Sequence, residues 1–562
     1  MNSNSSQMLA TRWPYLVWLV IGLAIVLRVW GVWYGLPFCY HKDEYHEVMR
    51  ALELGAGGFN LERTAKGGFY LLLFLEYGFY FVVLRLLGVV ESTREFAEMF
   101  AKDPTAFYLM GRVTAAVCGA VTVAACFWLA RRAYTVASGL LASVFMAINV
   151  LHVDLSRVIG VDVPMTMFAV IALFFAVRIA EEGQRRDYFY GALFAALATT
   201  TKLPGVLVVL SLTAAHWISA AKRGVGLRER LLARDLWGAI AVFAVVLVAT
   251  NPGVLLVRDA LSLFASNPGE SFSDEIVDEG VAAVAGGRPN LYFYYLSVIQ
   301  QSMGWPLFVA GFVGVGIAMW RRTSADVILL TFVIANYLAI SSTTSEVLYY
   351  PRYALPIIAV LSVLAARAVA TCLCAIRGPR AAVSVVSVAA LVFVPVLDTG
   401  LHAYTVAQTD TRTIALEWIR ANVASGSAVL IEGGKIAADR GTVPLQDSRE
   451  SLERRISYWR HTEPRQAKYL ELKLAVHDGS GFQLEFVRVG SLDSLEQYLE
   501  RGIQYFVVRP SYFYGSRRSD ASSMGFMRDL RSDPRVSLLK RVDGDSIRQP
   551  GPTIEIYGLR ES

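Results

Sequence analysis

The sequence predicts a polytopic α-helical membrane protein of about eleven spans, followed by a C-terminal extracytoplasmic α/β domain. Three observations carry this. Apolar residues make up 55% of the 562 residues and charged residues only 18%, with a mean hydropathy of +0.44. Soluble domains sit near roughly 45–50% apolar and about 25% charged. Apolar runs recur at lengths that suit a bilayer, where about 17–25 residues at about 1.5 Å each cross the hydrocarbon. After Leu397 the composition turns to mixed charge.

The same numbers exclude a disordered or collagenous chain. Lys and Arg total 53 against 47 Asp and Glu, leaving a net charge of +6. These basic residues are not gathered on one soluble stretch, so nucleic acid is not an expected partner. Five cysteines are present, Cys39, Cys118, Cys126, Cys372 and Cys374. None follows Cys374, so the last third has no disulfide. Cys372 and Cys374 have no further metal ligands nearby and read as small apolar residues at a helix end.

In chain order the expected spans are 15–37, 107–130, 138–151, 163–180, 188–203, 204–220, 236–256, 305–320, 327–341, 353–371 and 382–397. The first follows Arg12, has no small-x-small site and leads into charged residues, so it reads as an uncleaved anchor. Arg131 and Arg132, Arg185 and Arg186, the basic 222–234 segment, Arg321 and Arg322, and Arg377 and Arg380 fall in alternate loops. Basic loops stay in the cytoplasm. Segments 38–106, 258–304 and 342–352 then face outward.

The apolar 67–88 run would invert every later loop if it crossed, and it holds Glu76 and Arg85, which are costly at mid-bilayer. It is expected to lie in or dip into the outer interface. The N-terminus is then cytoplasmic and the domains are 1–398, in the plasma (inner) membrane, and 399–562, outside it. In the second domain 411–422 reads as an amphipathic helix, 427–432 and 505–509 as strands, and 492–501 as a helix between strands. Gly433-Gly434-Lys435 lacks the rest of a phosphate loop and reads as a turn.

Ionisable residues collect where the first span ends, in His41-Lys42-Asp43-Glu44-Tyr45-His46-Glu47. A helix follows, with Tyr45, Val48, Met49, Leu52 and Leu54 as candidate buried positions. The plainer reading is that Asp43 caps that helix. It does not explain the density of charge at a bilayer surface. A carboxylate held against an apolar wall makes a good general base, since reduced hydration raises its pKa. The spacing of His41, His46 and a carboxylate matches no common metal site. A second outward carboxylate is Asp162, before Pro164, with Asp154 as a competitor; an N-cap is again the plainer reading.

Cations complete the outer set. Lys66 precedes the 67–88 run, Lys202 lies between two apolar runs, and Arg352 follows Tyr350 and Pro351. Span-end Lys and Arg commonly snorkel. Lys202 has little loop around it, and a lipid phosphate at that depth needs such cations. Arg28, inside the first run, is a further candidate for pairing with an acid or supporting the phosphate.

The order of these features resembles glycosyltransferase family 39 of the GT-C superfamily. This group includes protein O-mannosyltransferases and the lipid A aminoarabinose transferase. The resemblance covers roughly the first 370 residues and is clearest before Gly205. It rests on an anchor, an outward Asp43-Glu44, an interfacial helix after Lys66, Asp162-x-Pro164, Thr201-Lys202 between spans, and Pro351-Arg352-Tyr353. The chain departs from the family at Lys42, where Pro is usual, and at Ala65, where some relatives have Glu.

The resemblance implies a GT-C fold and sugar transfer, hexosyl or pentosyl, from a polyprenyl-phosphate donor to an acceptor hydroxyl, with inversion, in cell-envelope glycosylation. Asp43 is then the catalytic base, and Glu44 and Asp162 orient the acceptor or tune Asp43. Lys66 and Lys202 match lysines near the lipid phosphate in the family; with Arg352 and Arg28, the candidates read from the residues themselves, they are expected to stabilise the departing phosphate. No cofactor is required, and a divalent metal between carboxylates is an open alternative. The partners are the lipid-linked donor, a lipid, glycan or protein acceptor, and membrane lipids.

A secondary transporter or flippase of a lipid-linked or anionic substrate is the competing class. Such proteins usually show repeated halves and broken helices at mid-membrane. No convincing repeat is present, and the suspect charges gather at one face. A wall-binding scaffold would not require Asp43, Glu44 and Lys66 together. The acidic 269–287 segment is read as a solvated loop in preference to a flap over the site.

Overall fold

The computed structural model describes residues 3–55, 67–251, 290–342, 350–375, 380–432, 442–462, 464–487, 492–514, 521–545 and 548–560. Two parts follow one another along the chain, a helical bundle and a mixed α/β domain. Within the described residues every expected span overlaps a helix.

The bundle opens with α1 (Ser3–Val29), α2 (Lys42–Gly55), α3 (Gly67–Leu86) and α4 (Thr93–Lys102). It continues with α5 (Thr105–Ala133), α6 (Val136–Ala147), α7 (Val150–Leu155), α8 (Asp162–Glu181) and α9 (Arg185–Thr201). A 3-10 turn (Leu203–Leu207) leads to α10 (Val208–Lys222), α11 (Leu227–Leu231) and α12 (Arg234–Thr250). Then come α13 (Leu291–Arg321), α14 (Ser324–Ser341), α15 (Leu355–Ala375) and α16 (Arg380–Val406). Among the described residues nine helices are long and apolar enough to cross a membrane; Trp13–Val29 and Val136–Ala147 are shorter apolar helices.

Several boundaries differ from the sequence expectation. The first helix stops at Val29, short of residue 37. The 138–151 run breaks between α6 and α7, where the Asn149 side chain caps the second piece. The helix expected from 305 begins at Leu291 and bends at Gly304 (φ 72°), just before Pro306, whose missing N–H and ring interrupt the ladder. The expected division at 398/399 falls inside α16, which carries the bundle on to Val406.

The two ends of the bundle are chemically distinct. At one end Arg131 stacks 4.3 Å from the Trp13 ring centroid, Arg132 pairs with Glu181 at 2.7 Å, and Arg178 pairs with Asp187 at 2.9 Å. Lys222 caps the Ala180 carbonyl at 3.0 Å there. A buried trio joins Tyr134, Asp326 and Arg367. The alternate basic loops read from the sequence thus share one end. Asp43, Asp162, Lys202 and Arg352 share the other.

Helix α3 begins at this second end, where the Gly67 N–H donates to Asn251 at 2.8 Å. It then crosses α5 near that helix's start. Leu73 faces Gly111, Glu76 accepts from Thr114 at 2.6 Å, and Tyr77 and Tyr80 pack on Phe107. Its later turns meet Phe96 of α4. By length and composition α3 is one of the helices able to span, and its contacts with α5 fall on the first turns of that helix.

The α/β domain contains α17 (Thr411–Asn422), β1 (Ala428–Glu432), α18 (Arg449–Thr462), α19 (Pro464–Ala475), β2 (Gln483–Val487), α20 (Leu495–Glu500) and β3 (Tyr505–Val508). It ends with α21 (Pro510–Tyr514), α22 (Ala521–Ser532), β4 (Val536–Val542) and β5 (Ile554–Leu559). The sheet order is β2-β1-β3-β5-β4, with β1 parallel to both neighbours and β5 antiparallel to both of its own. Successive strand residues face opposite sides. Val429 and Ile431 join Leu416 and Ile419 of α17 on one face. Leu430 joins Tyr498, Phe526 and Met527 on the other.

This domain seats on the acidic end of the bundle. Tyr34 donates to Asp410 at 2.6 Å, Arg412 stacks 4.0 Å from the Tyr40 ring, and Tyr40 and Thr413 hydroxyls meet at 2.8 Å. Tyr469 of α19 packs against Tyr45 and Phe100.

Helices α13 and α15 approach most closely at Gly314, where a Cβ would lie 2.2 Å from the Leu364 carbonyl oxygen. Gly314→Val is expected to cost about 1–3 kcal/mol by forcing the two backbones apart. A lowered thermal midpoint of the detergent-solubilised protein measures this, and an unchanged midpoint contradicts the close packing.

Candidate active site

Four segments distant in sequence bring the site together. The loop after α1 turns into α2, whose first turn carries Asp43 and Glu44, where the helix dipole favours negative charge. Tyr45 and Val48 of α2 are buried, and Met49 and Leu52 partly so, which fixes the side of the helix that faces inward. Asp162 opens α8; its N-cap is Val161, and no side-chain cap bond forms there. The Asp162 carboxylate therefore does something other than capping. Lys202 is an extended residue between α9 and the 3-10 turn. Gly205 permits that turn, because a Cβ there would lie 2.4 Å from the Ala198 carbonyl oxygen. Arg352 stands in the 3-10 turn Pro351–Ala354 at the head of α15.

The four side chains form an alternating line of charge. Arg352 pairs directly with Asp43. Its Nε lies 3.8 Å from Asp162 Oδ2, and Asp162 Oδ1 is 2.6 Å from Lys202 Nζ. Side-chain exposure runs from 8% at Asp162 to 22% at Arg352, so the line is shielded yet reachable from one side. Two aromatic rings wall it. The Arg352 guanidinium sits 4.3 Å from the Tyr350 centroid, and Lys202 Nζ sits 4.3 Å from that of Tyr353. Burial raises the Tyr350 hydroxyl pKa against the opposing pull of Arg352, which keeps the phenol neutral. A Cβ on Gly160 would meet nothing within 4 Å, so space opens beside the segment leading to Asp162.

Glu44 has a different position from the one expected. It is fully buried and holds Arg112 of α5 by two bonds of 2.8 and 2.7 Å. Its Oε1 also accepts the Ile159 N–H at 2.9 Å. Arg112 in turn donates to the carbonyls of Val32 and Tyr34, both at 2.7 Å. This clamp ties the loop before Asp43 to the loop before Asp162. Arg112 was not singled out from the sequence, although a lone arginine inside the 107–130 run is a signal, since such a charge needs a partner.

Arg28 is not drawn to the line of charge. It is fully buried and donates to the carbonyls of Ala24, Met146 and Ala147 and bonds His152. A side chain so enclosed, capping the end of α6, offers no face to a phosphate at Lys202. Lys66, the acidic 269–287 segment and Gly433-Gly434-Lys435 lie outside the described residues. Asp154 pairs with His402 at 2.7 Å, away from Lys202. Among the described residues no group of three or more His, Cys, Asp or Glu is arranged to hold a metal ion.

The fold and site define a polytopic helical protein with a shielded line of acid and base at one end. Residues 104–251, from the start of α5 to the end of α12, match the family model described as dolichyl-phosphate-mannose-protein mannosyltransferase. No curated protein matches the chain. Among solved structures, ArnT from Cupriavidus metallidurans bound to undecaprenyl phosphate is 16% identical with a TM-score of 0.45, over 82% of this chain and 75% of that one. The apo Archaeoglobus fulgidus oligosaccharyltransferase is 12% identical with a TM-score of 0.48, over 88% and 69%. The same organism's oligosaccharyltransferase AglB with an inhibitory peptide and a dolichol-phosphate is 13% identical with a TM-score of 0.44, over 89% and 69%. Likenesses of this degree say nothing about substrate.

Removing one partner of a buried ion pair leaves the other charge stranded, a loss of about 3–5 kcal/mol. Arg112→Met should therefore lower the thermal midpoint sharply, and adding Glu44→Gln should restore part of it. A double variant no better than the single one would contradict the clamp.

Proposed function

We propose that this chain is an integral-membrane glycosyltransferase. It moves a sugar from a polyprenyl-phosphate donor to an acceptor hydroxyl on the extracytoplasmic face, with inversion at the anomeric carbon. The single observation that carries this is the Asp43–Arg352–Asp162–Lys202 line. It offers a base, two cations and a shielded mouth at one end of a helical bundle. The match of residues 104–251 to a mannosyltransferase family model supports the same class.

In the resting state the described members of the line set two carboxylates against two cations. A donor phosphate entering beside Arg352 and Lys202 competes for both. It draws Arg352 away from Asp43 and leaves that carboxylate free to accept a proton. The acceptor oxygen then bonds to the anomeric carbon from the face opposite the phosphate. The carbon–oxygen bond to phosphate breaks with its electron pair going to the phosphate oxygen, and the hydroxyl proton passes to Asp43. Lys202 and Arg352 stabilise the charge that develops on the leaving group.

Asp162 holds Lys202 and steadies Arg352, and Glu44 acts one step back, by fixing both carboxylate-bearing loops through Arg112. The family resemblance assigns Lys66 to the same phosphate. The positive charge in this scheme comes from side chains; a divalent cation bound between Asp43 and Asp162 would supply the same charge. The basic end of the bundle faces the cytoplasm, and the C-terminal domain covers the outer mouth. A polyprenyl phosphate is a competent leaving group in itself, so no nucleotide-binding fold is needed.

Asp43→Asn is expected to reduce sugar transfer by roughly 10²–10⁴-fold, the usual contribution of a general base, while labelled donor still binds in membranes. Lys202→Ala and Arg352→Ala should instead weaken donor binding. Consumption of lipid-linked sugar that survives Asp43→Asn would end the base assignment. Vesicle uptake or flipping without transfer would favour a transporter.

A further inference from the structure

The segment between α7 and α8 carries a second group of charges that the transfer chemistry leaves unused. Arg157 is 2% exposed. Its Nη2 donates to the Leu27 carbonyl at 2.8 Å, but Nε and Nη1 are buried and meet no acceptor. Arg28 lies close enough to repel it, and Arg28 Nε is also without an acceptor. His152 Nε2 and His41 Nδ1 share that condition. The carboxylate that faces Arg157 is Asp154, and His402 already engages it at 2.7 Å. Two arginines thus stand against one carboxylate that is itself paired. Buried guanidinium N–H groups without acceptors are expensive, so the arrangement asks for an anion.

Its position indicates which anion. Trp30 and Trp33 follow Arg28 directly and are about half exposed, as aromatic residues are at a membrane interface. Asp154 and His402 side chains are 45% and 35% exposed, so the group has a mouth. His402 lies on α16, which also carries exposed Leu397, Leu401 and Tyr404, the kind of surface that lipid covers.

We propose that Arg157, backed by Arg28 and with the Asp154–His402 pair at its mouth, is a second anion site that takes a phosphate group at headgroup depth. It is separate from the phosphate position at Lys202 and Arg352. A guanidinium suits phosphate oxygens better than an ammonium, because it presents several fixed donors at once. A phospholipid headgroup and free inorganic phosphate share this chemistry.

The test uses the full chain in a phosphate-free detergent, with phosphatidylglycerol or inorganic phosphate added separately, and reads the thermal midpoint. Phosphatidylglycerol is expected to raise the midpoint of the unsubstituted protein. Arg157→Gln should weaken its apparent affinity roughly tenfold or more, the loss expected for a charged hydrogen bond. If inorganic phosphate alone reproduces the shift, the site stands and the free ion is its source. If neither anion shifts the unsubstituted protein, or both shift Arg157→Gln equally, the proposal is overturned. Should Arg157→Gln fail to fold, Arg157→Lys and His402→Ala replace it. Both are expected to bind more weakly, and unchanged binding in both overturns the site. The readout is independent of turnover, so it can fail or succeed apart from the transferase reading.

Discussion

A charge that leaves water must take a partner with it, and the acidic end of this bundle is organised around that requirement. Glu44 and Arg112 are both about fully buried, and neither could sit where it does alone. Their bidentate bond spends its remaining donors and acceptors on backbone, at Ile159 on one side and at Val32 and Tyr34 on the other. A pair satisfied in this way fixes two loops against a third helix. Asp43 and Asp162 each lie close in sequence to one of the clamped loops. The distance between the Asp43 and Asp162 carboxylates is thus set by a pair that touches neither of them.

The exposed partner of this arrangement is the line Asp43–Arg352–Asp162–Lys202. It is less deeply enclosed than the clamp, and its geometry is looser, with 3.8 Å between Arg352 Nε and Asp162. Arg352 Nε has no hydrogen-bond partner. A buried pair with all its bonds made resists exchange, whereas a partly open pair with an unspent donor can trade partners when a stronger anion arrives. Neighbouring ion pairs thus differ in completeness, and on the proposed reading one holds position while the other meets ligand. The C-terminal domain adds to the first part. Tyr34, whose carbonyl accepts from Arg112, gives its hydroxyl to Asp410, so the clamp continues into the sheet domain.

Much of this was legible in the sequence, for physical reasons. Apolar run length is a direct record of bilayer thickness, and each run became helix. Charge parity across loops predicted that Arg131, Arg185 and Lys222 share one end. The strands at 427–432 and 505–509 and the helix at 411–422 follow from short-range periodicity. Pairings were not legible. Arg112 finds Glu44 across 68 positions, and Arg367 finds Asp326 across 41; spacing alone holds no record of either. Arg28 shows the same limit in reverse. Its charge inside a span called for partners, and a helix end and a histidine take most of its donors, away from the phosphate position at Lys202. Helix ends shifted where a side chain or a Gly-x-Pro sequence intervened, as at Asn149 and Gly304.

The location of the unpaired nitrogens bears on how the molecule works. Arg157 and Arg28 lie just behind the segment that the Glu44 clamp pulls into place, since Arg157 is two residues from Ile159 and five from Asp162. An anion held by Arg157 would bear on the same short segment from the opposite side. Occupancy there adds a constraint on the approach to Asp162 without adding any contact to the reacting atoms. On that proposal, position at the charge line would be set by three agents at once: a buried ion pair, a docked domain and a ligand at headgroup depth. Of these only the ligand would depend on what surrounds the protein, which would make the composition of the membrane a term in the geometry of the site.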